Sequence, residues 1–177
     1  MLINQIAEYL NKSPKEFQRC DLVRYIKENN INFLQFRYPA VDGRLKTLKF
    51  PITSIKRLEQ ILGDGERVDG SSLFKNILDS TRSDLYVAPI YETAFINPIV
   101  ENTMDICCAH INQKGDFEPF APSTILNKTK DNLLKKFGIE IYALTELEFY
   151  ILTRPERITF PATKQLGYHE SAPFLKS

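Results

Sequence analysis

The chain has 177 residues, of which 43 % are hydrophobic and 25 % charged, and its formal net charge is +1. These values are ordinary for a globular protein with one sizeable core. The balanced charge gives no reason to expect a nucleic acid or an anionic membrane as partner. Apolar runs fall short of the roughly 18 residues that a membrane span needs, so no transmembrane helix is expected. The N-terminus has no basic start followed by an apolar core, so we predict no signal peptide.

The three cysteines indicate a reducing compartment. Cys107 and Cys108 are adjacent, and on a strand their side chains would point to opposite faces, which disfavours a disulfide between them. Together with Cys20 they are interpreted as small buried hydrophobic residues of a cytoplasmic protein. His110 follows at a spacing that is not typical of zinc ligands, so no zinc site is predicted.

The first third of the sequence predicts a helix followed by a β-hairpin. In residues 16–30, apolar residues recur every third position and mark one helical face, formed by Phe17, Cys20, Val23 and Ile26. Residues 32–39 and 44–52 are rich in β-forming residues, and the Asp42-Gly43 pair lies between them. Two such runs joined by Asp-Gly predict an antiparallel hairpin.

The middle of the chain alternates short elements and a loop. Ser54 is placed to cap a helix over residues 54–62. Residues 63–72, rich in glycine and acidic residues, predict a loop with at most a short strand. Residues 83–90 and 104–111 are further strand candidates.

A strand–helix–strand unit is predicted in the last third. Residues 122–138 show helical apolar spacing, with Ser123 as a possible cap and Gly138 as the end. Residues 139–152 form a β-rich run. After it, residues 155–177 show no clear element and are interpreted as a loop or an unsupported tail. One strand–helix–strand unit cannot close a core alone, so it indicates the start of something larger.

The β-rich run contains two glutamates in the stretch TELEFY. Residues two apart on a strand share a face, so Glu146 and Glu148 would project together while Leu147 and Phe149 face the other way. A divalent cation such as Mg²⁺ or Mn²⁺ would offset the repulsion of two carboxylates on one wall. The alternative is a solvated polar face on a half-buried sheet.

The second candidate site is the stretch VDGSS. Asp69 is followed by Gly70 and two serines, so a carboxylate and hydroxyls would lie beside exposed backbone amides. Such a group could hold a small cation such as ammonium or accept its proton. The alternative is an Asp-Gly turn in which Ser71 and Ser72 cap nearby backbone groups.

Several stretches, in order and in approximate register, resemble glutamine synthetase. They are VDGRLKTLKFP, VDGSS, SDLYVAPIYETAFINP, a helix ending in FGI, TELEFYIL and GYHESAP. The resemblance implies an α+β fold, with a β-grasp-like N-terminal domain over residues 1–105. An incomplete glutamine-synthetase catalytic α/β domain would follow over residues 106–177.

The resemblance also implies roles for four residues. Glu146 and Glu148 match the two strand glutamates that ligate the family's active-site divalent metals, Mg²⁺ or Mn²⁺. Asp69 matches the loop aspartate that helps to bind ammonium and remove its proton, and Ser72 matches the serine beside that ammonium site. The implied reaction joins glutamate and ammonia at the expense of ATP, through a γ-glutamyl phosphate.

Departures from the family pattern leave three hypotheses open. The family's PRS is replaced by APS at residues 121–123, and its NESD by TRSD at 81–84. The family's remaining metal ligands and its nucleotide and glutamate sites would lie beyond Ser177, so we expect a portion that is inactive alone. A module that binds or regulates full-length glutamine synthetase, or a fragment without function, are the alternatives. In the family the Asp69 loop serves the neighbouring subunit, so the partners implied are a second copy or full-length subunits.

Overall fold

The computed structural model describes residues 4–78 and 83–149 of the chain. The chain divides into two compact units, Met1–Glu140 and Ile141–Ser177. The helices described in the first unit are α1 (Gln5–Leu10), α2 (Arg19–Glu28), α3 (Ile55–Asp64), α4 (Gly70–Leu73) and α5 (Pro122–Phe137). Its described strands are β1 (Phe33–Pro39), β2 (Leu45–Pro51), β3 (Glu66–Asp69), β4 (Asp84–Pro89), β5 (Phe95–Ile96) and β6 (Thr103–Ile111). Single 3₁₀ turns lie at Pro14–Glu16 and Tyr91–Thr93.

The strands form one six-stranded mixed sheet. Its order is β2-β1-β6-β4-β3, and the short β5 also pairs with β6. The β1–β6 pair is parallel and the other pairs are antiparallel. The longest strand, β6, lies at the centre because β1 pairs along one of its edges and β5 and β4 along the other. This mixture of helices and sheet confirms the predicted α+β class.

The predicted hairpin is confirmed as the β1–β2 pair. The strands pair from Phe33 opposite Pro51 to Pro39 opposite Leu45. The turn between them uses Gly43 at a φ of 76°, a left-handed conformation that favours glycine. The carboxylate of Asp42 accepts a hydrogen bond of 3.0 Å from the backbone N–H of Arg44.

The hydrophobic core lies where α2 and α3 contribute apolar side chains to one face of the sheet. Alternate residues of β1 and β6 are fully buried there, namely Leu34, Phe36, Met104 and Ile106. From the helices, Leu22, Ile26, Leu58 and Leu62 complete the same cluster. Burying eight large side chains is the main source of stability for a unit of this size.

The buried face of α2 differs from the prediction. Leu22, Tyr25 and Ile26 are buried, but Cys20 is exposed. The predicted face was counted from Phe17, which lies before the helix and has extended dihedral angles. Helical spacing does not continue through a residue that is not helical, so positions counted from Phe17 do not mark the buried face of α2. The prediction of burial holds for Cys108 and is wrong for Cys20.

Helix α5 confirms the predicted element but not its cap. The helix begins at Pro122 and ends at Phe137, and Gly138 caps its C-terminus with a φ of 67°. Ala121 therefore occupies the capping position, and Ser123 lies inside the first turn, where its hydroxyl oxygen is buried without a hydrogen-bond partner. The predicted capping role of Ser123 is wrong, because proline occupies the first helical position and the cap lies at Ala121, two residues before Ser123.

The predicted strand over residues 139–152 is corrected in its described part. Residues 139–149 contain no helix or strand. Their large apolar side chains are exposed, with Leu144 at 91 % and Leu147 at 87 % of full accessibility. A strand requires a neighbouring strand to pair its backbone groups, and none pairs with this run in the part of the chain that the structure describes. Residues 150–177, including GYHESAP, lie outside the described residues.

A buried ion pair fixes the pairing of β1 and β6. Asp105 is fully buried, and the Arg37 guanidinium donates to its carboxylate at 2.7 and 2.8 Å. The Asn97 amide also donates to both carboxylate oxygens at 3.1 Å. The network joins three segments of the chain, and each buried oxygen of Asp105 has a partner.

The predicted boundary at residue 105 falls inside β6, and the first compact unit continues to Glu140. The assignment of residues 106–177 to the start of a catalytic domain stays a prediction. In the described ranges, no helix is both long enough and apolar enough to cross a membrane.

Candidate functional site

The VDGSS stretch lies where the edge strand β3 turns into the single helical turn α4. Asp69 is the last residue of β3 and caps α4. Its carboxylate accepts two hydrogen bonds from Ser71, at 3.0 Å from the backbone N–H and at 2.7 Å from the hydroxyl. The Ser72 hydroxyl donates to the backbone carbonyl of Asp69 at 3.0 Å. The turn thus brings together the two residues predicted for an ammonium site, and it also has the capping geometry of the alternative.

These hydrogen bonds determine the ionisation of Asp69. Donors from Ser71, and secondarily from Ser72, hold the pKa of the Asp69 carboxyl below its usual range. Asp69 is also exposed. The side chain is therefore an anion at neutral pH, fixed in orientation and open to solvent.

Gly70 allows the turn to lie against the core. Its backbone N–H donates to the carbonyl of Ser83 at 2.7 Å. A Cβ atom at this position would come within 2.8 Å of side-chain atoms of Leu78 and Leu85. Only glycine fits without displacing those leucines, which explains why this residue type follows Asp69.

The sequence analysis missed a second carboxylate at this site. Asp84, the first residue of β4, lies directly opposite Asp69 in the antiparallel β3–β4 register. The Gly70–Ser83 bond next to this pair marks it as a non-hydrogen-bonded position, where opposite side chains come closest. Val68 and Leu85, the next pair along, point into the core, so both carboxylates face outward. An antiparallel alignment of the stretch SDLY with the stretch RVD would have placed Asp84 opposite Asp69 from the sequence alone.

Asp84 has partners that Asp69 lacks. The Arg67 guanidinium forms an ion pair with Asp84 at 3.3 Å, and the amide of Gln113 lies 3.5 Å from the other carboxylate oxygen. A surface pocket at this edge is lined by Arg67, Val68, Asp69, Ser83 and Asp84. The described lining residues carry two carboxylates and one guanidinium, a net charge of −1, which suits a small cation.

Glu146 and Glu148 lie in the second unit and are exposed. Without a strand over residues 139–149, their shared face is not formed. Among the described residues, no group of three or more His, Cys, Asp or Glu side chains could hold a metal ion. Two neighbouring carboxylates supply only part of the coordination shell of a divalent metal. Their assignment as ligands stays a prediction.

His110 is a buried polar residue packed among aromatic rings. It is fully buried on β6, and neither ring nitrogen has a hydrogen-bond partner. Its ring meets the edges of Phe74 and Tyr38, with centroids 4.9 and 5.8 Å away. Burial lowers the pKa of His110 to about 4, so the imidazole is neutral at neutral pH.

Comparison with known proteins agrees with this architecture. Residues 30–113 match the family model described as "Glutamine synthetase, beta-Grasp domain". The chain is 26 % identical over 140 residues to the glutamine synthetase of Methanocaldococcus jannaschii, covering 75 % of this chain and 30 % of that protein. It is 31 % identical over 137 residues to that of Rhizobium meliloti, covering 74 % of this chain and 28 % of that protein. The chain therefore spans less than a third of the length of these relatives.

A solved structure shares the fold. The cryo-electron microscopy structure of Plasmodium falciparum glutamine synthetase superposes with a TM-score of 0.57 at 21 % identity, covering 68 % of this chain and 23 % of that one. At this identity the likeness concerns the fold alone.

The mixed sheet, its packed helices and the Asp-Gly turn at its edge define a β-grasp domain. Residues 30–113 are the β-grasp domain of the glutamine synthetase family. The family predicted from the VDGSS, SDLY and neighbouring motifs is thereby confirmed.

Proposed function

We propose that this chain takes part in the glutamine synthetase reaction by presenting the Asp69 turn to an ammonium ion in an active site completed by another subunit. The observation that carries the proposal is the Asp69 carboxylate itself. It is exposed, ionised, oriented by two hydrogen bonds from Ser71, and placed at the edge of a domain of this family.

The chemistry of the carboxylate favours binding of the cation over strong base catalysis. A carboxyl whose pKa lies below its ordinary range attracts ammonium by charge but is a weak proton acceptor. Asp69 would orient ammonium and take one of its protons, which frees the nitrogen lone pair. The nitrogen would then attack the γ-carbonyl of γ-glutamyl phosphate, so that the C–N bond forms, the C–O bond to phosphorus-bound oxygen breaks, and inorganic phosphate leaves as the nitrogen gives up a second proton to water. The Ser72 hydroxyl, which donates to the backbone carbonyl of Asp69, would lie beside this position.

The remaining parts of the reaction come from outside the described residues in this proposal. ATP, glutamate and the divalent metals Mg²⁺ or Mn²⁺ would be bound by a full-length glutamine synthetase subunit. The partner is therefore a full-length subunit of the same family, and the chain alone is expected to form no glutamine.

Complementation of a loop-deficient enzyme tests the proposal. The recipient is a full-length glutamine synthetase, such as the Methanocaldococcus jannaschii enzyme, in which its own loop aspartate is changed to asparagine. We expect added wild-type chain to restore formation of glutamine from glutamate, ATP and ammonium, and the Asp69→Asn chain to restore none.

The chain offers a matched control for this test. Asp42 lies in a second Val-Asp-Gly sequence, is exposed, and accepts a 3.0 Å bond from a backbone N–H two residues later, as Asp69 does. The chain carrying Asp42→Asn should restore as much product as the wild-type chain does. Equal restoration by the Asp69→Asn chain would contradict the role of the carboxylate. If the added chain instead changed the activity of a glutamine synthetase whose own loop aspartate is intact, that result would favour the alternative that the chain is a regulatory module.

A further inference from the structure

The two carboxylates at the β3–β4 edge are held in different ways. Asp69 receives hydrogen bonds from Ser71, and no cationic side chain among the described residues forms an ion pair with it. Asp84 receives the guanidinium of Arg67. The site therefore separates one carboxylate held by neutral donors from one paired with a cation.

Arg67 could pair with either carboxylate. It lies two residues before Asp69 on β3, so both side chains share the outward face about 6–7 Å apart along the strand. It also lies diagonally across the ladder from Asp84, within reach of a long side chain. An arginine paired with Asp69 would occupy the position that an ammonium ion needs.

We propose that Asp84 is a positioning residue for Asp69: by holding the Arg67 guanidinium across the ladder, it keeps that guanidinium from pairing with Asp69. This inference rests on the proposed function, because keeping the Arg67 guanidinium away from Asp69 matters only if Asp69 binds an ammonium ion. The Gln113 amide near the second oxygen of Asp84 helps to fix this arrangement.

Titration of the Asp69 carboxyl by carbon NMR in the full chain tests the inference. The wild type is compared with Arg67→Gln, with Asp84→Asn and with the double variant. In Asp84→Asn, the released guanidinium should move to Asp69 and lower its pKa. Removal of a neighbouring negative charge would lower this pKa as well, so the single variant does not decide the question.

The double variant separates the two effects. If Asp84 restrains Arg67, then Arg67→Gln should raise the pKa of Asp69 more in the Asp84→Asn background than in the wild-type background. The Asp84→Glu variant keeps the negative charge opposite Asp69, so the pKa of Asp69 in this variant should match the wild-type value. Equal or smaller effects of Arg67→Gln in the Asp84→Asn background would overturn the inference.

This outcome is independent of the outcome for the proposed function. The proposed function fails if the wild-type chain does not restore product in the loop-deficient enzyme. The inference on Asp84 fails if the two substitutions act additively on Asp69, whether or not product is restored.

Discussion

Strand β6 and the run of residues 139–149 have similar composition and different structures. Each contains three β-branched residues together with other aliphatic ones; they are Thr103, Ile106 and Ile111 in β6 and Ile139, Ile141 and Thr145 in the run. In β6, Met104 and Ile106 are fully buried, whereas Leu144 and Leu147 in the run are almost fully exposed. The difference lies in the partners, since β6 pairs with β1 on one edge and with β4 and β5 on the other. A β-rich sequence is thus a strand only where other strands satisfy its backbone.

Breaking the buried ion pair should produce the largest loss of stability. Arg37→Met would leave the Asp105 carboxylate buried without its cation, at an expected cost of about 3–5 kcal/mol. Chemical denaturation of the full chain measures it. Thr47→Val, which removes only a 3.3 Å contact between the Thr47 hydroxyl and the same guanidinium, is the control and should cost much less. Similar costs for both variants would show that the pair does not hold β1 to β6.

A matched pair of leucines tests the comparison directly. Leu34 is fully buried on β1, and Leu147 is 87 % exposed. Leu34→Ala should lower the free energy of unfolding by about 2–5 kcal/mol, and Leu147→Ala should change it by less than about 0.5 kcal/mol. Denaturation curves monitored by circular dichroism compare them. A large cost at Leu147 would mean that the run is packed in solution.

Lowering the pH should reduce the free energy of unfolding, because His110 is buried in its neutral form. Its pKa is about 4 in the folded chain and ordinarily 6.5, so the unfolded chain binds the proton first. Stability is then fully present above pH 6.5 and falls by about 3 kcal/mol as the pH approaches 4. His110→Phe keeps a ring against Phe74 and removes this dependence. The difference in unfolding free energy between wild type and variant, measured at several pH values, should change across this window; a constant difference would refute it.

The smallest expected effect concerns Glu146 and Glu148. Two carboxylates leave most of an octahedral shell to water, so Mn²⁺ binding to the chain should be weak. Calorimetry should detect its loss when both residues are changed to glutamine, with no loss of stability. Glu59→Gln, an exposed glutamate of α3, is the control. Weak binding that survives the double substitution would exclude these residues as ligands.

Local patterns predicted the elements well and the long-range contacts poorly. The Asp42-Gly43 turn and the Ser54 cap follow from neighbouring residues alone, and both are confirmed. The pairing of Arg37 with Asp105 joins residues 68 positions apart, so no short window contains it. Similarly, Asp84 became part of the Asp69 site through strand register. The exposed run failed as a strand because periodicity does not show whether a neighbouring strand exists.

Hydrogen exchange of the full chain, followed by mass spectrometry of short peptides, tests the central claim most directly. That claim is that strand partners, and not composition, separate β6 from residues 139–149. We predict strong protection of backbone amides in β1 and β6 and exchange close to the unfolded rate in residues 139–149. Protection of residues 139–149 equal to that of β6 would contradict the account.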